Sequence, residues 1–246
     1  MPDKRTHRGP HPEDRLDFDS GILPSLRVAV ADYSLLLTKD YPPAGSLKLV
    51  GDHFNLTARQ RMAVMRSACS DQQRTHRRQS AISFYDLPGK AIALDGYNQL
   101  ITLEAALAGG AIFRGRDGCL RDLAGLHGTY HRVSETIPAI GRIGELFAGI
   151  GIQDVLWLFD RPVSNSGRLK TLIEQTAREK GWTWKVELAQ SPDKQLADTD
   201  RIVLTSDSDI LDKCRQWSNA MPFLLQSVSP LWLMDLFDAP AAGQTV

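Results

Sequence analysis

The sequence predicts a three-layer α/β/α domain with a mainly parallel sheet, preceded by a small all-α domain. From residue 81 onward, short apolar runs alternate with stretches of helical periodicity. That alternation is typical of parallel strands whose two faces are both covered by helices. Before residue 80 the apolar residues recur at helical spacing, with no strand-like run among them. A chain of 246 residues is long enough for both parts.

The N-terminal part is predicted to be an arm followed by a helical domain. Residues 1–20 are charged and contain glycine and proline, so we expect an extended arm. Residues 21–80 form the helical domain, with helices predicted from about Pro24 to Tyr41, from Ala44 to Phe54, and from an N-cap at Thr57 to about Cys69. The last two helices resemble a helix-turn-helix, a motif often used on nucleic acid. An ordinary helical hairpin that packs on the next domain is the alternative, and it needs no ligand.

The end of the helical domain is polar and basic. Residues 71–80 include Arg74, Arg77 and Arg78, and this stretch is the best candidate for a linker. Its arginines could contact phosphates, but a charged stretch in water also needs no ligand.

Residues 81–246 are predicted to form the α/β domain. Strands are predicted at 91–94, 155–159, 184–188, 202–204 and 223–225, and the clearest helices at 136–148, 166–180 and 208–217. A further helix is expected around Leu100, after the first strand. No GxGxxG, GxxxxGK[ST] or GxSxG pattern occurs, so the usual nucleotide-binding and serine-hydrolase fingerprints are absent.

Composition narrows the class of protein. Residues 1–80 hold 13 Lys and Arg against 9 Asp and Glu, and residues 81–246 hold 16 against 20, so the net charges of +4 and −4 cancel. A basic part could attract a polyanion while an acidic part holds cations, although chance also explains such a split. Three scattered cysteines argue against a disulfide framework and a zinc site. The polar N-terminus and the lack of a long apolar run favour the cytoplasm over a membrane.

Acidic residues follow three of the predicted strands. Asp95 follows the first, Asp160 the second, and Asp207 and Asp209 the fourth. The ligand site of an open parallel sheet lies beyond the carboxyl ends of its strands. Carboxylates gathered there repel one another and favour a hard cation such as Mg²⁺ or Mn²⁺. Metal ions of this kind promote phosphodiester hydrolysis.

Each acid also has an explanation that involves no metal. Asp95-Gly96 is a common turn dipeptide, and Ser206 or Asp207 could cap the helix that follows. Asp160 could end its strand in a solvated loop before Pro162. We favour a shared site because three acidic strand ends in one sheet are harder to explain separately.

Arginines supply the candidate substrate contacts. Arg114 and Arg116 flank a glycine in a charged loop and could grip phosphate, with Asp117 or Asp122 joining the acidic cluster. Arg168 lies just inside a predicted helix N-terminus, where backbone N–H groups favour anions. An exposed loop with internal ion pairs and an ordinary helix cap are the alternatives.

Two short motifs resemble the signatures of the PIN/NYN ribonuclease superfamily. Residues 95–98 read Asp-Gly-Tyr-Asn. This is similar to the superfamily's signature at the end of strand one, in which an Asp is followed three residues later by an Asn. Residues 205–210 read Thr-Ser-Asp-Ser-Asp-Ile, similar to the late Ser/Thr and Asp-x-Asp signature. Nearly the whole chain also resembles an uncharacterised prokaryotic family in which a small helical domain precedes a PIN-like domain, through stretches such as 8–14, 114–118 and 162–167.

The resemblance implies roles for these residues. Asp95, Asp207 and Asp209 would be metal ligands, directly or through water, and Asn98 would orient a water at the metal or a substrate phosphate. Thr205 and Ser206 would support the acidic turn and contact the substrate. NYN-type enzymes carry another acid early in the helix after the second strand, where residues 164–167 read Ser-Asn-Ser-Gly. Asp160 could replace that acid.

The expected function is therefore hydrolysis of nucleic acid, with RNA as the substrate and Mg²⁺ or Mn²⁺ as the cofactor. The basic N-terminal helices would position the nucleic acid, and the resemblance allows a homodimer. One alternative is a non-catalytic nucleic-acid-binding or regulatory protein with a degenerate PIN scaffold, because the early-helix acid is missing. Another is a phosphatase of a different α/β type, although the first strand lacks the Asp-x-Asp that haloacid dehalogenase-like enzymes carry.

Overall fold

A computed structural model describes residues 6–126 and 128–237. The first five residues of the predicted arm, His127 and the last nine residues of the predicted α/β domain lie outside it. The helices are α1 Asp14–Asp17, α2 Leu23–Thr38, α3 Pro43–His53, α4 Ala58–Ser67, α5 Asp71–Ser80, α6 Gly96–Leu107, α7 Thr136–Gly149, α8 Ser166–Lys180, α9 Pro192–Asp198, α10 Ser208–Leu211 and α11 Met221–Leu225. The strands are β1 Ile92–Asp95, β2 Ile112–Arg114, β3 Leu120–Arg121, β4 Val155–Asp160, β5 Trp184–Ala189, β6 Ile202–Leu204, β7 Trp217–Ser218 and β8 Leu233–Asp235.

The main sheet has five strands in the order β5-β4-β1-β6-β7, and every neighbouring pair is parallel. Ile92 and Leu94 of the central strand β1 face a core that they share with α6, α7 and α8. Ala93 faces the opposite core, which includes side chains of α9 and α10. Both faces of the sheet are therefore covered, and the predicted three-layer architecture with a parallel sheet is confirmed.

Two predictions in the last part of the chain are wrong. Residues 223–225 belong to helix α11 rather than a strand, and Pro222 suits the first turn of that helix. A short apolar run of this kind does not distinguish a strand from a buried helix. The helix predicted at 208–217 is shorter and ends at Leu211. Trp217 belongs instead to the edge strand β7, where it pairs with Val203.

The N-terminal helices α2, α3 and α4 lie where the sequence predicts them. Thr57 caps α4 in a capping box with Gln60, and each side chain accepts a hydrogen bond from the other residue's backbone N–H. The helices pack onto a second, three-stranded sheet in the order β3-β2-β8. Phe113 of β2 and Met234 of β8 lie in the same core as α2 and α4. Helices α3 and α4 also contribute side chains to this core, among them Val50 and Val64.

The predicted linker at 71–80 is wrong. This stretch is helix α5, which begins with a capping box between Ser70 and Gln73. Arg77 is buried rather than solvated, because it donates hydrogen bonds to Asp117 at 2.6 Å and Asp212 at 2.7 Å. Arg77 therefore joins α5 to the α/β part of the chain through its ion pairs with Asp117 and Asp212.

Residues 6–20 of the N-terminal arm are docked and include helix α1, which corrects the prediction of an extended arm there. The Arg8 guanidinium Nε donates to Glu104 of α6 at 2.6 Å and lies over the ring of Tyr130. Further along, α1 positions Asp14 to accept hydrogen bonds from Arg59 of α4. The arm therefore joins the two parts of the chain through ion pairs that no local pattern encodes.

The three cysteines are free and buried. Among the described residues, no helix combines the length and the apolar character needed to cross a membrane.

Candidate active site

A cavity of about 520 Å³ opens at the carboxyl edge of the main sheet. Its walls come from the ends of β1, β4 and β6, from the start of α9, from the loop after β3, and from the end of α4. The lining residues are Met65, Arg66, Asp95, Tyr97, Asn98, Ile101, Thr102, Arg121, Asp122, Ala124, Leu126, Asp160, Asp193, Ser206, Asp207, Ser208 and Asp209. All four aspartates predicted from the strand ends are among them.

Asp95 ends the central strand and immediately precedes α6. A Cβ atom on Gly96 would lie 2.3 Å from the Phe159 ring and 2.7 Å from the Leu158 carbonyl oxygen, so only glycine lets α6 start this close to β4. The Asp95 side chain makes no capping hydrogen bond to α6. Its Oδ2 instead accepts a hydrogen bond of 2.7 Å from the Thr205 hydroxyl. The Asp-Gly pair is therefore a strand-to-helix junction whose carboxylate turns towards β6.

The turn after β6 is tied to the turn after β1. Asn98 Oδ1 accepts hydrogen bonds from the Ser206 backbone N–H at 2.9 Å and from its hydroxyl at 2.8 Å. The Thr205 hydroxyl oxygen also accepts from the backbone N–H of Asp207 at 3.0 Å. These bonds fix the position of Asp207 beside Asp95, and both Thr205 and Ser206 are buried. Thr205 and Ser206 therefore support the acidic turn, and Ser206 also lines the cavity.

Asp207 has a capping role as well as a place in the cavity. Its Oδ1 accepts hydrogen bonds from the backbone N–H groups of Asp209 at 2.8 Å and Ile210 at 3.3 Å. The helix-cap explanation is therefore correct for this oxygen. The other carboxylate oxygen of Asp207 has no hydrogen-bond partner in the described part of the chain.

The cavity is strongly acidic. The pKa of Asp95 is raised to about 7, mainly by burial and further by the negative charge of Asp207, although a hydrogen bond from Thr205 acts to lower it. Burial also raises the pKa of Asp160, and the charge of Asp193 adds to that increase. Asp193 has a raised pKa for the same reasons, with Asp207 and Asp209 as its charged neighbours. Carboxylates that raise one another's pKa favour a bound cation.

Asp193 is a cavity residue that the sequence reasoning missed. It lies directly after Pro192 in the first turn of α9, the helix that follows β5, and it lines the cavity. The strand at 184–188 was predicted, so the same strand-end rule could have been applied to the acid that follows it. The signal was weak because Asp193 lies four residues beyond Ala189, the last residue of that strand.

Tyr97 is a second cavity residue without a predicted role. Its side chain is only 6% exposed, and its hydroxyl has no hydrogen-bond partner among the described residues. Burial raises the pKa of this hydroxyl, and the nearby charge of Asp160 contributes. The hydroxyl oxygen is closed off from solvent and therefore does not open into the cavity, while the Tyr97 ring packs against the rings of Tyr130 and Phe159.

The candidate ligands are of the chemical type that a hard divalent cation prefers. All the candidate ligands are oxygen atoms, and Mg²⁺ is commonly held by one or two carboxylates with water completing its shell. Asp95 and Asp207, which are joined through Thr205, would supply those carboxylates. In residues 6–126 and 128–237, no three Asp, Glu, His or Cys side chains are grouped closely enough to hold an ion directly. Among the described residues, direct ligation of an ion would therefore come from at most two of these side chains.

The predicted arginine contacts do not reach the cavity. Arg114 donates to Asp235 at 3.3 Å, and Arg116 donates to the Cys69 carbonyl oxygen at 2.8 Å. Arg168 is exposed on α8 and does not line the cavity. Arg114 and Arg116 lie close to Arg121 in sequence, but the β2–β3 turn directs them to the helical part and the C-terminal strand.

Two further acids have structural partners. Asp117 is buried between Arg77 and Arg121, at 2.6 Å from a nitrogen of each. Asp122 lines the cavity, but its carboxylate accepts hydrogen bonds of 2.6 Å from the Thr102 hydroxyl and from the Ala124 backbone N–H. Of the two acids, only Asp122 borders the acidic cluster.

Comparison with known proteins gives a family-model match in each part of the chain. Residues 25–79 match the model of a protein of unknown function, DUF434. The uncharacterized protein MJ0935 of Methanocaldococcus jannaschii is 29% identical over 187 residues, which cover 76% of this chain and 89% of that protein. No solved structure gives a significant match. Residues 84–222, more than half of the chain, match the model described as a domain of unknown function, DUF5616, and the protein belongs to that family.

Proposed function

We propose that this protein is a nuclease that hydrolyses phosphodiester bonds of RNA with Mg²⁺ or Mn²⁺, in the cytoplasm. One observation carries the proposal: six aspartates line a single cavity at the carboxyl edge of a parallel sheet, and five of them follow strands β1, β4, β5 and β6. This is the edge where open α/β sheets bind their ligands.

The proposed roles follow from the hydrogen bonds. Asp95 and Asp207 would hold the cation, and Thr205 keeps the two carboxylates in place. A bound Mg²⁺ or Mn²⁺ would polarise the phosphate and make a water molecule more acidic. Asn98 uses its carbonyl oxygen on Ser206, which leaves its amide NH₂ to donate to a phosphate oxygen.

The remaining aspartates would act around this pair. The carboxylates of Asp160 and Asp193 have raised pKa values, so either could accept a proton from the attacking water. Asp193 would also take the place of the early-helix acid that residues 164–167 lack. The choice of RNA rests on the resemblance of 95–98 and 205–210 to PIN/NYN ribonuclease signatures.

A binding protein without catalysis is the second candidate. It is favoured by the absence of three closely grouped metal-binding side chains in the described residues, and by the use of one Asp207 oxygen as a helix cap. Such a protein would still bind RNA, but it would show no stoichiometric affinity for Mn²⁺.

The test is cleavage of an end-labelled single-stranded RNA, with Mg²⁺, with Mn²⁺ and with a chelator. We expect products only with metal, none with Asp95→Asn, and undiminished cleavage with Asp200→Asn, an 87% exposed acid paired with Arg215 far from the cavity. Intact RNA under all conditions, together with RNA binding that does not depend on metal, would support the binding protein instead. A chromogenic phosphomonoester in parallel separates a nuclease from a phosphatase.

A further inference from the structure

The cavity wall formed by the helical part of the chain carries a cation. Arg66, at the end of α4, lines the cavity together with the preceding Met65. Its Nη1 donates a hydrogen bond of 2.6 Å to the backbone carbonyl oxygen of Asp122, which fixes one edge of the guanidinium group. The side chain is still 33% exposed, and among the described residues its Nε and Nη2 have no hydrogen-bond partner. The arginine is therefore held in place with donors to spare.

Arg66 differs from the other arginine of the cavity in its charge balance. Arg121 is buried, with its Nη atoms on Asp117 at 2.6 and 2.9 Å and its Nε on the Ser206 carbonyl oxygen at 2.7 Å. The nearest carboxylate oxygen to Arg66 belongs to Asp122 and is 3.8 Å away. Because Asp122 already accepts two hydrogen bonds of 2.6 Å, it compensates Arg66 only partly. Arg66 is therefore the cavity cation best able to bind an added anion.

Apolar side chains accompany this cation. Met65 is 45% exposed, and Ile101, Ala124 and Leu126 line the same cavity. A volume of about 520 Å³ is in the range of pockets that enclose one small-molecule ligand, the size of a nucleotide. A nucleotide combines an anionic phosphate with a flat base whose faces prefer apolar contacts. The base is available for such contacts only in a single strand, because pairing and stacking cover it in a duplex.

We infer that Arg66 binds a backbone phosphate of a single-stranded polynucleotide next to the acidic site, with the adjoining base against Met65 and Leu126. The inference rests on the proposed function, because the acidic half of the cavity would then hold the neighbouring phosphodiester through the cation. Guanidinium is well suited to this contact, since it donates two parallel hydrogen bonds to phosphate. The helical part would thus complete the substrate site, while the arginines Arg59 and Arg61 on the same helix bind Asp14 and Asp52 within the protein.

The test is equilibrium binding of short fluorescent oligonucleotides by anisotropy, with Ca²⁺ as the divalent ion and a gel to confirm that the strands stay intact. Single-stranded RNA, single-stranded DNA and an RNA duplex are compared at several salt concentrations. Arg66→Gln is the main variant, because glutamine can still donate to the Asp122 carbonyl oxygen. Arg66→Ala accompanies it, and Arg78→Gln, on the exposed face of α5 outside the cavity, is the matched control. Thermal unfolding of each variant checks the fold.

We expect Arg66→Gln to weaken single-strand binding roughly tenfold or more, and to reduce the salt dependence by about one counterion. Arg78→Gln should bind as the wild type does, and the duplex should bind more weakly than either single strand. Equal losses on RNA and DNA support a contact to phosphate, and a larger loss on RNA supports one that also includes the sugar. Wild-type affinity and salt dependence in Arg66→Gln, or equal binding of the duplex, would overturn the inference. Cleavage plays no part in this readout, so the nuclease proposal and the Arg66 inference can fail separately.

Discussion

The Thr205 hydroxyl donates a 2.7 Å hydrogen bond to Asp95 across the ends of two neighbouring parallel strands. The same oxygen accepts from the backbone N–H of Asp207 at 3.0 Å. One buried hydroxyl therefore ties the Asp95 carboxylate to the backbone of Asp207, the other residue proposed to hold the metal ion. Groups that orient metal ligands in this way have large effects on affinity and activity without touching the metal.

Thr205→Val removes this hydroxyl with almost no change in shape. We expect the variant to bind Mn²⁺ about ten- to a hundredfold more weakly and to lose cleavage to a similar extent. Thr205→Ser keeps the hydroxyl and should stay within a few-fold of the wild type. Calorimetric titration with Mn²⁺ and the RNA cleavage assay measure the two effects. Equal behaviour of the valine and serine variants would contradict a positioning role for Thr205.

Asp193 raises the pKa of Asp160, and its own pKa is raised by burial and by the charges of Asp207 and Asp209. Removing its charge should therefore have opposite effects with and without metal. We expect Asp193→Asn to weaken Mn²⁺ binding about tenfold while leaving the metal-free protein at least as stable to heat. Calorimetry gives the first quantity and thermal unfolding with a chelator gives the second.

The matched control for Asp193 lies on the same helix. Asp198→Asn, at the other end of α9 and outside the acidic cavity, should leave Mn²⁺ affinity unchanged. Equal affinities in the two variants would show that Asp193 does not act on the metal site.

Asp117 is the buried anion between two buried cations. It lies 2.6 Å from Arg77 of α5 and 2.6 Å from Arg121, whose Nε in turn donates to the Ser206 carbonyl oxygen at the cavity. Asp117→Asn would leave both arginines short of a counter-charge, and we expect a loss of about 3 to 5 kcal/mol in the free energy of unfolding. Asp200→Asn, which removes an exposed ion pair, should cost about 1 kcal/mol or less. Urea unfolding of both variants tests this, and similar costs would contradict the structural role.

The parts of the fold that could be predicted from sequence are those fixed by local pattern. The strands around Leu94 and Val203 are apolar throughout because both faces of the sheet are covered. Thr57 and Gln60 are spaced as in a capping box, which predicts the start of α4. The failures depend on distant partners. Helix α5 has a polar composition typical of a linker, although Ser70 and Gln73 form the same local cap, and the burial of Arg77 depends on Asp117, 40 residues further along the chain.

The candidate site divides in the same way. Strand topology alone predicts that the strand-end acids meet at one edge, because parallel strands end on the same side of a sheet. Arg66 could not be predicted as a cavity residue, since it belongs to a different part of the chain. Arg114 and Arg116 do not line the cavity, because the direction in which their loop projects depends on the β2–β3 turn and cannot be read from the sequence.

Glu104 makes the docked arm sensitive to pH. It is fully buried in α6 and accepts hydrogen bonds from Arg8 at 2.6 Å, Thr136 at 2.6 Å and Tyr130 at 2.5 Å. Burial raises the pKa of Glu104 above its ordinary value even with the opposing charge of Arg8 and these hydrogen bonds. A carboxyl group whose pKa is higher in the folded than in the unfolded state stabilises the fold at low pH, and this stabilisation is lost as the pH rises through the folded value.

Arg8→Ala removes a charge that lowers the pKa of Glu104, so that pKa should rise further. At about pH 8 the variant must bury an unpaired carboxylate, and we expect a loss of about 3 to 5 kcal/mol in the free energy of unfolding. At about pH 5 Glu104 can take up a proton, so the loss should be clearly smaller. Urea unfolding at the two pH values measures the difference. In a Glu104→Gln background, the effect of Arg8→Ala on the free energy of unfolding should no longer depend on pH. The control His7→Ala removes the exposed partner of Glu135 and should lower the free energy of unfolding only slightly at either pH. A loss that is equal at both pH values would show that Arg8 acts by packing on Tyr130 rather than by balancing the buried charge.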